Sequence, residues 1–154
     1  MRKAIISLSL FLFITLSITA QTDIKRKANY NVNKSGLAIE GFDPVSYIAS
    51  NKAEKGKSAF TSAYKGVNYN FASAANRDAF KASPDTYEPA YGGWCAYAMG
   101  AKGEKVEIDP ETFKVINGKT YLFYNFYFMN TLKDWNKNEL GLKSKADLNW
   151  KKYN

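Results

Sequence analysis

The chain holds one thiol, Cys95, and no histidine among its 154 residues. Histidine is the usual general base near neutral pH and the commonest metal ligand. Without it, most hydrolase and zinc-site chemistry drops out. Cys95 lies four residues before Met99 in the run Tyr91-Gly92-Gly93-Trp94-Cys95-Ala96-Tyr97-Ala98-Met99. On a helix the two would share a face. A thiolate with a thioether suits Cu(I), and Met129 or a second molecule could complete such a site. The plainer expectation is core packing, because free cysteine is among the most buried residue types and methionine fills gaps. A redox role would need Cys95 at a helix N-terminus behind Gly92-Gly93. It has no histidine to serve as base and no second cysteine to resolve a disulfide.

Tyr91, Gly92, Gly93 and Trp94 form the candidate ligand-binding group. Glycine lets a backbone approach a ligand closely, and Tyr and Trp offer an apolar body with a polar tip. Tyr97, Tyr121, Tyr124 and Tyr127 are further candidates for lining a pocket. The carboxylates promise less. Asp43 and Asp109 each precede proline, which favours capping or turn duty, and Glu104 and Glu107 fall in or beside a polar loop.

These residues need elements to position them. Asp43-Pro44 reads as the start of a short helix through Ser50. Residues 59–64 and 67–71 flank Lys65-Gly66, and Val67, Tyr69 and Phe71 alternate with polar residues, which reads as a hairpin. Ser73 is placed to cap a helix through Ala82, with Asn76 and Arg77 facing outward. Ser83 is placed to cap the next short turn. Trp94–Met99 should be helical. Val106-Glu107-Ile108 reads as a strand. Asn117-Gly118 sits between alternating runs, the strongest short hairpin signal. Phe126–Asn138 reads as a helix with Phe128, Leu132 and Trp135 on one side, and a last helix falls within Leu142–Trp150. No internal repeat is visible: the two hairpin-then-helix stretches share an outline but not their residues. The expected fold is α+β, a small single domain of two hairpins interleaved with short helices.

The N-terminus reads as an export signal over residues 1–20: Arg2 and Lys3, then the uncharged run Ala4–Thr19, then Ala20 before Gln21. The expected location is periplasmic or extracellular, and residues 21–35 read as a polar tail ahead of a domain over 36–154. The formal net charge is +8, but lysine dominates and is spread along the chain. Nucleic-acid readers cluster arginine forks, so a nucleic-acid partner is not expected. The spread lysines read as a solvated surface, with a weak attraction to anionic membranes at most.

Several motifs resemble a known family. Gly41-Phe-Asp-Pro-Val-Ser-Tyr47 resembles the opening of YHS domains. Tyr69-Asn-Phe-Ala-Ser73, followed by Asn76 and Phe80, resembles their aromatic strand-then-helix signature, and Pro84-Asp-Thr-Tyr87 their close. The match covers roughly residues 36–87. The remainder resembles an extended, exported subgroup of such proteins. YHS domains are linked to heavy-metal handling, copper above all, through cysteines in these motifs. Here Ser46, Ala72 and Asn76 stand at those places, so the resemblance implies the fold without the metal site. The expected function is an exported, non-enzymatic binding or accessory domain of the cell envelope. Its partner would be a small ligand, a metal or an envelope protein. The alternatives are a copper-binding protein using Cys95 and Met99, or a thiol-dependent enzyme.

Overall fold

The computed structural model describes residues 21–153, and the expected export signal lies outside them. The first half follows its local signals closely. Asp43 accepts from the Val45 N–H at 2.8 Å, and Pro44 occupies the first helical position, so α2 (Pro44–Ala49) begins where these residues dictate. Lys65 and Gly66, with φ of 46° and 80°, close β1 (Lys57–Tyr64) onto β2 (Val67–Phe71). Ser73 accepts from the Asn76 N–H and opens α3 (Ala74–Ala82). Ser83 makes no side-chain cap to α4 (Pro84–Tyr87), contrary to expectation.

The second half contains α5 (Ala96–Ala101) and the hairpin β3 (Asp109–Ile116) with β4 (Lys119–Phe123). The small hairpin β5 (Asn125–Phe126) and β6 (Met129–Asn130) comes next, then α6 (Thr131–Lys137) and α7 (Glu139–Trp150). The protein is thus α+β, with three separate two-stranded antiparallel sheets among the described residues.

Three expectations fail locally. Residues 106–108 are irregular. Helix α5 starts at Ala96, leaving Trp94 outside and Cys95 at the N-cap. The helix expected from Phe126 starts only at Thr131, because Tyr127 and Phe128 take φ of 51° and 65° and reverse the chain.

The larger surprise is that the fold repeats. Helix α5, strand β3 and strand β4 each begin and end 52 residues after α2, β1 and β2. Both hairpins slip register at the same place: Lys57 pairs with Phe71 before the ladder resumes at Thr61, and Asp109 pairs with Phe123 before it resumes at Phe113. Both helices are preceded by a left-handed turn, with φ of 52°, 50° and 81° at Ile39, Glu40 and Gly41, and of 55°, 61° and 85° at Tyr91, Gly92 and Gly93. The long-range bonds repeat as well. The Asp43 N–H donates to Glu54 O at 2.8 Å, and the Cys95 N–H to Val106 O at 3.0 Å. The chain therefore carries two copies of one unit, the first from about Gly36 and the second from about Glu88.

Each unit has its own core. Ile39, Tyr47, Tyr69, Phe71 and Phe80 are fully or almost fully buried in the first. Tyr91, Met99, Tyr121 and Phe123, each 52 residues on, form the second with Trp135, which packs on Tyr121 and Phe123 as Phe80 does on Tyr69 and Phe71. Cys95, Ala98, Ile108 and Leu122 belong to the second unit but pack into the first core, which joins the units into one body. Residues 21–29, read from sequence as a polar tail, are helical (α1). Arg26 Nη2 donates to both oxygens of buried Glu88 at 2.6 and 2.5 Å, and Glu88 also accepts from the Tyr69 hydroxyl at 2.5 Å. Tyr30 then meets Trp150 edge-on at 5.9 Å.

Candidate functional site

The repeat shows where the halves diverge. In the first unit, Asp43 is wholly buried at the N-cap of α2. Its Oδ2 accepts from the Ala72 N–H at 2.8 Å and from Asn76 Nδ2 at 2.6 Å. Asn76 therefore faces inward, correcting the expectation that it points to solvent. The Ser46 hydroxyl donates to Asp43 O at 2.8 Å. Ser46, Ala72 and Asn76 are the three places where the family resemblance calls for cysteine, and all three meet at Asp43. That carboxylate is saturated, so its work is to hold α2, β2 and α3 together.

In the second unit Cys95 occupies Asp43's place. The Tyr124 N–H, counterpart of the Ala72 N–H, donates to Cys95 Sγ at 3.4 Å. Thr131 Oγ1 lies 3.4 Å from the same sulfur and donates to Tyr124 O at 3.0 Å. Five extra residues also separate the end of the second strand from the following helix: α3 starts three residues after Phe71, α6 eight after Phe123. They form most of the β5–β6 hairpin. A cavity of about 190 Å³ opens beside this insertion. Its wall is mostly apolar: Cys95, Tyr97, Ala98, Tyr124, Met129 and Thr131 contribute, with exposed Lys102 and Glu104 at the mouth. A cavity of about 150 Å³ accepts benzene, so this one suits a ligand of one or two fused rings.

Cys95 and Met99, paired by their spacing, are both fully buried but serve different cores. Met99 is the counterpart of Tyr47 and packs in the second core, while Cys95 faces the first core and the cavity. Among the described residues, the methionine lining the cavity with Cys95 is Met129. The described residues contain no group of three or more His, Cys, Asp or Glu placed to hold a metal ion.

The glycine group is closed by the chain itself. A Cβ on Gly92 would stand 2.8 Å from the Trp150 ring and 3.1 Å from that of Tyr30. Tyr91 donates to Asp147 Oδ1 at 2.9 Å, and burial together with that acceptor pushes its hydroxyl pKa far above the ordinary value. Trp94 Nε1 donates to Asn29 O at 2.7 Å. The close approach expected at Gly92 is real, but what approaches is Trp150. Of the aromatics proposed to line a pocket, Tyr97 and Tyr124 do so.

Comparisons with protein-family models, with curated proteins and with solved structures find no match to this chain.

Proposed function

We propose that the chain is an exported, non-enzymatic binding domain of YHS-like construction serving the cell envelope, and that the cavity beside Cys95 takes a small, largely apolar ligand. One observation carries the reading: the two units share their backbone plan and differ where the cavity opens. The first unit fills that region with Asn76 bonded to Asp43. The second replaces the carboxylate by a thiol, adds the β5–β6 hairpin and leaves apolar space. An apolar pocket with a few polar groups at its edge is the usual form of a small-molecule site. The YHS-like part of the reading is supported by the way Asp43, Ser73 and Phe80 each serve the first unit. Copper held by Cys95 with Met99, and thiol chemistry at Cys95, gain less support, since Met99 lies in the other core and Cys95 is closed to solvent.

Thermal denaturation with indole as the probe tests the reading. A ligand at 100 times its Kd stabilises a protein by about 2.7 kcal/mol. The wild type should melt higher with indole, while Ala101→Trp should not respond. Ala101 is exposed on the cavity rim, so the added ring plugs the mouth without entering a core. No response from the wild type, or an equal response from both, would overturn the site.

A further inference from the structure

We infer that the β5–β6 hairpin is a peripheral membrane-contact element that seats Tyr127 and Phe128 in the interfacial layer of an anionic bilayer. The observation behind it is a contrast within the chain. Three tight hairpins have two-residue turns with positive φ at both positions: Lys65-Gly66, Asn117-Gly118 and Tyr127-Phe128. Two use glycine at the second position, as this turn type prefers. The third places two aromatic residues where L side chains are disfavoured. Tyr127 is 92 % and Phe128 111 % exposed, so the strained pair gains nothing from burial in the fold. Strain held at an exposed tip points to a task outside the fold.

The shoulders of the tip are apolar too, with Phe126 and Met129 partly exposed. Four such side chains offer several hundred Å² at most. A specific protein pair buries at least about 1,200 Å² in total, roughly 600 Å² a side, through about 20–30 residues a side, whereas this tip presents only four apolar ones. A bilayer interface needs no matching pocket and accepts tyrosine and phenylalanine at the headgroup level. Charge favours the same occupant. The chain from Gln21 keeps a formal net charge of +6, the full +8 less Arg2 and Lys3, and exposed Lys102 and Lys133 flank the hairpin beside Glu104 and Asp109, the latter hydrogen-bonded to Asn125, while Asp134 is bound to Lys137. No helix among the described residues is long and apolar enough to cross a membrane.

The test is co-sedimentation with vesicles of two parts phosphatidylcholine to one part phosphatidylglycerol. The protein is the chain from Gln21, which holds every described residue of both cores and lacks the apolar run that would itself partition. The variant is Tyr127→Asn with Phe128→Gly, which installs the turn already present at Asn117-Gly118. The wild type should bind, and less at raised salt. The variant should bind at least about tenfold more weakly while melting at the same or a higher temperature. Equal binding by both, no binding by the wild type, or a wild-type dimer in sedimentation that the variant abolishes without any vesicle binding would each overturn the inference.

Discussion

Cys95 stands in the second unit where Asp43 stands in the first. Each occupies the N-cap of a six-residue helix, and each receives a backbone N–H from the residue just after a five-residue strand. The carboxylate binds three donors at 2.6 to 2.8 Å, whereas the thiol meets its two neighbours at 3.4 Å. One position is a knot and the other borders a cavity.

The knot should be expensive to cut. Asp43→Ala leaves the Val45 and Ala72 N–H groups and Asn76 Nδ2 without their acceptor. Each buried orphan costs about 1–3 kcal/mol, so urea denaturation should show a loss of at least about 3 kcal/mol. A loss below about 1 kcal/mol would mean that water or rearrangement supplies the missing acceptor.

Cys95 should be inert in the native state because it is fully buried. Labelling by Ellman's reagent should run at the rate at which the fold opens, at least about a thousandfold slower than in urea. Rapid labelling of the folded protein would show a thiol open to solvent.

Thr120 offers a gain. Its hydroxyl is buried with no hydrogen-bond partner among the described residues, whereas its counterpart Asn68 is exposed. Thr120→Val removes the unpaired group at nearly constant shape and should raise stability by about 1 kcal/mol in urea. A loss of stability would reveal a hidden partner for that oxygen.

Stability should fall in alkali. Burial raises the hydroxyl pKa of Tyr30, Tyr47, Tyr69 and Tyr91 above the ordinary 10.0. Above that value the unfolded chain loses these protons while the folded protein keeps them, so their contribution is complete below pH 10.0 and is lost as pH rises. Lys105 and Lys119, lowered by burial, work the other way below 10.5, but they are fewer. The melting temperature should drop between about pH 9 and about pH 11, less steeply in Tyr91→Phe. A flat profile would contradict the burial of these hydroxyls.

What was legible in the sequence was local. Asp43 before Pro44, Ser73 before α3, and glycine after Lys65 and Asn117 each act within a few residues, and each does what its chemistry suggests. The repeat was hidden because the units share few residues, such as Gly41 with Gly93, Gly66 with Gly118 and Phe71 with Phe123. A backbone plan can persist through aromatic and glycine positions alone. The spacing of Phe128, Leu132 and Trp135 imitates a helical face, and nothing nearby announces two aromatics in a tight turn. Cys95 and Met99 have the right interval for one site, but the interval is silent about two cores meeting at α5. The docking of residues 21–29 depends on Glu88, 62 positions from Arg26, which no local pattern conveys.

The most direct measurement is an amide NMR titration of the wild type with indole. The account predicts saturable shifts at Cys95, Ala98, Tyr124 and Thr131, which border the cavity. Their first-unit counterparts, Asp43, Ser46, Ala72 and the neighbouring Asn76, should stay still. Shifts that fail to saturate, or that appear equally in both units, would contradict it.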